Sequence, residues 1–126
     1  MALRTLSGGP IQGRMMTFAP TALWLDPHVG DLVIGDGLGN YSVAECADLD
    51  APIGIVRSVS PDSRTIGIEI LGDDCIVRVP YDGVVGLGNH VRADHTAGAG
   101  YVEAGGAVGL IVGIDLVPGF VDVYCA

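Results

Sequence analysis

The sequence predicts an all-β protein: a small antiparallel β-barrel or sandwich with an extended N-terminal arm. Three observations carry that reading. Apolar residues alternate with others at a period of two in run after run, the mark of half-buried strands. Turn formers divide the runs at intervals of about 8–12 residues, the spacing of small sandwiches and barrels. No segment sustains a capped 3.6-residue period; a short turn near Val43–Leu49 is the nearest approach to helix.

Residues 1–21 are read as the arm. Ser7-Gly8-Gly9-Pro10 and Gln12-Gly13-Arg14 hold turn formers without periodicity. The segment also carries Ile11, Met15, Met16 and Phe18. Such an apolar stretch has to dock, either on another molecule or as an edge strand of its own domain. Residues 22–126 form the single β domain. A chain of 126 residues is one domain's worth and can bury a core without staples.

The strands follow in order. Ile53–Val59 and Arg64–Leu71 are separated by Ser60-Pro61-Asp62-Ser63. In the second, Ile66, Ile68 and Ile70 share a face, and Thr65, Gly67 and Glu69 take the other. Gly72-Asp73-Asp74 leads into Cys75–Tyr81, where Cys75, Val77, Val79 and Tyr81 oppose Arg78. In Ala107–Leu116, Val108, Leu110, Val112, Ile114 and Leu116 line one side, opposite Gly109, Gly113 and Asp115. Pro118-Gly119 suits a type II turn before the last strand, Phe120–Cys125.

Charge narrows the function classes. Fifteen acidic residues face six basic ones, all arginine, for a net charge of −9. Nucleic-acid binding needs clustered cations, and an anionic membrane would repel this chain, so neither partner is expected. The N-terminus lacks the apolar stretch of a signal peptide, and no run is long enough to cross a bilayer. Cys46, Cys75 and Cys125 are odd in number and widely spaced, which fits reduced thiols used as small apolar fillers.

Catalytic and cofactor motifs are missing. Gly35-Asp-Gly-Leu-Gly-Asn40 lacks the Lys and Ser/Thr of a phosphate loop and the third glycine of a dinucleotide fingerprint. It reads as a β-hairpin loop. His90, Asp94 and His95 are metal-ligand types, but an odd spacing on a strand points the two histidines to opposite faces. They read as a polar loop; a third ligand such as His28 would come from far away. Asp73-Asp74 falls at a turn tip, where exposure to solvent denies the pair the desolvation that acid–base catalysis needs. No Gly-x-Ser-x-Gly elbow occurs. No enzyme activity, metal or cofactor is expected.

The remaining features resemble a family, the small head-decoration or cement proteins of tailed bacteriophages. Gly30-Asp31-Leu32-Val33 is similar to that family's early Gly-Asp-Val-Val strand. Ala51-Pro52-Ile53-Gly54-Ile55-Val56 resembles the strand after its polar loop. Gly88-Asn89-His90-Val91-Arg92-Ala93-Asp94 stands where relatives often have Gly-Asp-x-Val-Tyr, with Asn89 for Asp and Arg92 for the aromatic. Gly106–Gly113 then precedes a last strand at Val121–Tyr124. The likeness spans about three-quarters of the chain, from Val29 to Cys125.

The resemblance implies a structural protein on the outer surface of an expanded capsid, made in the host cytoplasm. It would bridge subunits of the major capsid protein, commonly as a homotrimer and sometimes as a dimer. On that reading Met15, Met16, Phe18 and Trp24 are the partner-binding anchors, since flexible and aromatic side chains dominate hot spots. Trp24 suits the core equally well. The apolar run Val108–Leu116 is the expected self-association surface. The alternative from another class is a small β-sandwich that binds a carbohydrate or other ligand, although the chain has only seven aromatics to stack on one. A third is an enzyme built on His90, Asp94 and His95.

Overall fold

The computed structural model describes residues 10–117 and 119–126. The architecture is all-β, with ten strands and no helix among the described residues. Five strands close a barrel in the order β1 (Met15–Pro20), β3 (Ser42–Glu45), β2 (Leu32–Gly35), β4 (Gly54–Val59) and β5 (Ile66–Ile70). A three-stranded sheet runs β6 (Cys75–Pro80), β10 (Phe120–Cys125), β9 (Leu110–Asp115). β7 (Val91–Ala93) and β8 (Val102–Ala104) form a separate hairpin. Every strand pair is antiparallel except β1 with β3, which is parallel.

The arm expectation needs correction. Met15–Pro20 is β1, a full member of the barrel between β3 and β5. Closing the barrel leaves this strand no free edge, so the segment docks on its own domain. Ile11 adds a further bridge, exchanging backbone hydrogen bonds with Ile76 of β6 at 2.9 and 3.0 Å. Residues 1–9, the rest of the expected arm, lie outside the described residues.

Two cores organise the molecule. Inside the barrel, Val33, Val43, Val56, Ile66 and Ile68 pack with Trp24. Between the barrel and the remaining strands, Leu32, Cys46 and Ile55 meet Val77, Val79, Val91, Val102, Ile111, Val121 and Val123. β2 and β4 serve both cores. Successive residues of a strand face opposite ways, so Leu32 and Ile55 point to one core while Val33 and Val56 point to the other. That explains continuous apolar runs where a half-exposed strand would alternate.

Two β-bulges break the registers. In β4 the pairing jumps from Val56↔Ile68 to Ser58↔Gly67, leaving Arg57 as the extra residue. In β9 it jumps from Gly113↔Asp122 to Ile111↔Val123, leaving Val112 unpaired. A bulge re-aims the side chains that follow it. In β9 the effect is large. Ile111 is the buried residue, whereas Leu110, Val112 and Leu116 are exposed. Of the apolar face read from alternation, Leu110, Val112 and Leu116 therefore point outward, while Ile114 packs against the core.

The turns agree with the sequence. Residues 36–41 form the β2–β3 hairpin loop, with Gly37 and Tyr41 at positive φ. Asp73 and Asp74 adopt left-handed backbone between β5 and β6, a conformation Asp tolerates better than most residues. Gly119 takes φ +104° before β10, which only glycine does at little cost.

Candidate partner-binding surface

The four expected anchors separate. Met15 and Met16 are exposed, at 42% and 38% of their surface. They do not form one anchor, because neighbours on a strand point to opposite faces. Met15 pairs with Glu69 on the outer face, and Met16 pairs with Ile68 on the barrel side. Phe18 pairs with Ile66 and packs against the barrel core, meeting Tyr41 edge to face at 6.2 Å. Trp24 is only 8% exposed and belongs to that core. It is a packing residue, which withdraws it as a surface anchor.

The histidines do not converge either. His90 and His95 flank the ends of β7. The ring Nδ1 of His90 lies 2.5 Å from the carbonyl of Gly109, and Nε2 of His95 lies 2.9 Å from Glu45 Oε1. The segment expected to be a polar loop thus contains a short strand, paired with β8. Asp94 is buried and accepts the Ala97 N–H at 3.2 Å, shaping the turn after β7. Its carboxylate groups with Asp48 and Glu103, with ligand atoms within 4.8 Å of one another, and without either histidine. Glu103 already accepts the Arg92 Nε–H at 2.7 Å. Backbone bonds hold the β7–β8 hairpin to the 46–50 loop, Leu49 N–H to Ala93 O and Ala93 N–H to Asp50 O, both at 2.9 Å.

Asp36, Asp73 and Asp74 are engaged by other side chains or backbone. Asp36 accepts the Leu38 N–H at 2.8 Å and the Ser42 hydroxyl, and these bonds hold its carboxyl below the usual range. Asp73 pairs with Arg14 at 3.2 Å, and Asp74 accepts the Tyr124 hydroxyl, which raises that phenol above its usual value. Both aspartates lie in the exposed turn the sequence indicates.

Apolar side chains turned outward are the stronger signal. They are spread along the chain, and one group stands on and around β9. Leu110 and Val112 stand on the strand, and Leu116 and Val117 on its exit turn, at 75% and 85% exposure. The loop before β7 lies along the β9 edge, tied by Gly88 N–H to Ile111 O and Ile111 N–H to Asn89 O, both at 2.9 Å. It carries Val84 and Leu87, also exposed. A second group, Leu23, Leu25 and Val29, flanks Trp24 on the β1–β2 connection. Large apolar residues clustered at a surface mark interaction sites more often than chance placement does.

Sequence reasoning placed Val108–Leu116 at a surface for self-association but missed Val84, Leu87 and Val117. Their signal was available: apolar residues inside turn-rich segments, where no strand could bury them. Nothing in the described residues forms a deep, polar-lined cleft. The opening between the β6 edge and the barrel, lined by Gln12, Arg57, Glu69 and Arg78, is shallow, and its charged groups are ion-paired. Among the described residues no helix is long and apolar enough to cross a membrane. Compared with known proteins, the chain matches no family model and no curated protein.

Proposed function

We propose that this protein is a structural decoration, or cement, protein of a tailed-bacteriophage head. It binds the outer surface of the expanded capsid and bridges neighbouring subunits of the major capsid protein. The observation that carries the reading is the outward apolar surface on β9 and the loops beside it, built on a closed barrel. A rigid frame with a preformed apolar patch binds with little ordering cost. The order of Gly-Asp and Gly-Val strand motifs in the sequence supports the same reading.

In this proposal the protomers associate through the β9 surface, as a homotrimer or a dimer. Met15, on the outer face of β1, contributes a separate contact to the capsid. Many equivalent attachments over a lattice make modest single contacts sufficient. The net charge of −9 suits an outer surface away from packaged DNA.

Co-sedimentation with undecorated, expanded heads tests the proposal. Saturation at a fixed small-integer ratio to the major capsid protein is the expected result. Absence of binding to intact expanded heads would overturn it and make a glycan-binding screen the next experiment.

A further inference from the structure

Cys75 opens β6 and Cys125 closes β10, and the strand register sets them directly opposite each other. Both side chains are buried and belong to the same core cluster. Ile76 uses its backbone N–H and C=O for Ile11, on the side of β6 away from β10. Cys75 itself gives its N–H to the Gly72 carbonyl at 3.1 Å, closing the turn into β6, and stands directly opposite Cys125 across the ladder. Directly opposite residues of an antiparallel ladder have Cα atoms about 4.5–5.5 Å apart, within the roughly 4.4–6.8 Å that a disulfide spans.

We propose that Cys75 and Cys125 are a redox pair that closes into a cross-strand disulfide when the protein meets a low-molecular-weight disulfide. One thiolate attacks the reagent, forms a mixed disulfide and expels one reagent thiol. The second cysteine then attacks the protein sulfur of that adduct and expels the other. Overall, two protein thiols are oxidised, one reagent disulfide is reduced to two thiols, and the two protons leave on them.

The surroundings define how this pair behaves. Burial, the adjacent Cys75 thiol and the Glu69 charge push the Cys125 thiol up to about 12, so the closed fold holds little thiolate. Reaction then needs the end of β10, where Cys125 stands, to open. Side chains directly opposite on an antiparallel ladder, with Cβ atoms about 4.5–5.5 Å apart, also stand slightly wide for a disulfide. The bond formed is strained and easily reduced. Cys46 has no such partner in register: it follows β3, and burial likewise pushes its thiol up to about 12. The inference rests on the strand register alone and is independent of the capsid proposal.

The test is incubation of the folded full chain with oxidised glutathione, read by intact mass and peptide mapping. The expected product is about 2 Da lighter, the loss of two hydrogens, and reverts with dithiothreitol. Its map joins the Cys75 and Cys125 peptides, its thermal midpoint rises, and Cys46→Ala leaves the reaction intact. Cys75→Ala and Cys125→Ala each abolish the cross-link. Persistent glutathione adducts without a cross-link, or a bond that uses Cys46, would overturn the proposal. So would folded protein that stays unreacted while the urea-unfolded chain oxidises.

Discussion

Glu69 accepts the Arg57 Nε–H at 2.7 Å and, through its other oxygen, the Gly13 N–H at 2.6 Å. One buried carboxylate thereby fastens the bulge of β4 and the approach to β1 onto β5. Removing it by Glu69→Ala orphans a backbone donor and a guanidinium. The Arg57 side chain is 34% exposed and retains some water, so the full penalty of a stranded buried charge does not apply. The expected loss is about 2–3 kcal/mol, read from urea unfolding, with Arg57→Ala costing less.

Gly54 is constrained by space and not by its backbone angle. A Cβ there would lie 2.3 Å from Ile68 Cγ2 and 2.9 Å from the Glu69 carbonyl. The carbonyl belongs to the β4–β5 ladder and cannot step aside. Gly54→Ala should destabilise by about 1–3 kcal/mol, as overpacking does. Gly35→Ala is the control: nothing lies within 4 Å of its Cβ position. It should be neutral or stabilising by up to about 1 kcal/mol. Thermal unfolding of both variants distinguishes close packing from general intolerance of substitution.

Period-two alternation made the β class and most strands legible, because one face of each strand meets a core. It misled where a strand met more than one environment. Glu69 looked solvent-facing, since Ile66 and Ile68 define the inner face. Its own face is covered by Arg57 and by the segment at Gly13, from far away in sequence. Alternation groups Val112 with Ile114 on one face because it assumes an unbroken ladder, but one bulge shifts the phase, so that Val112 is exposed and Ile114 packs against the core. The arm was misread for a similar reason. Ala19 and Pro20 pair in parallel with Ser42 and Val43, and a non-local parallel pairing leaves no turn signal in the sequence.

Asp31 provides a pH-dependent test. Burial raises its carboxyl above the ordinary 3.8, outweighing the backbone hydrogen bond from His28. A carboxyl that is raised on folding binds protons more tightly in the native state. Its ionisation therefore costs stability as pH rises through the folded value, and the cost is absent once both states are protonated below 3.8. Asp31→Asn keeps an oxygen for the His28 N–H and removes the charge. The variant should gain stability relative to the parent at about pH 7 and lose that gain at about pH 3. An equal difference at both values would show that burial of the charge is not the cause.

Trp24 separates packing from binding. Its ring fills the barrel core, and its Nε1 is buried without a hydrogen-bond partner. Trp24→Ala should cost about 3–5 kcal/mol through the cavity it leaves. Trp24→Phe removes the orphaned donor along with some volume, so it should cost much less. Chemical denaturation measures both. If Trp24→Ala instead left stability intact and abolished association, the side chain would be an anchor after all.

The β9 surface gives the opposite expectation. Val112 is turned out by the bulge, and Leu116 stands on the exit turn, so neither contributes to a core. Val112→Asp and Leu116→Asp should leave unfolding of the isolated chain within about 0.5 kcal/mol of the parent. If this surface is buried by protomers or by capsid, each aspartate places an unpaired charge in an apolar contact. Association should then weaken at least about tenfold, the loss of one good anchor. Sedimentation velocity reads self-association, and co-sedimentation with expanded heads reads capsid attachment. Met15→Asp, on a separate face, should spare self-association while weakening attachment to heads. Equal binding by all three variants would remove both surfaces from the proposed role.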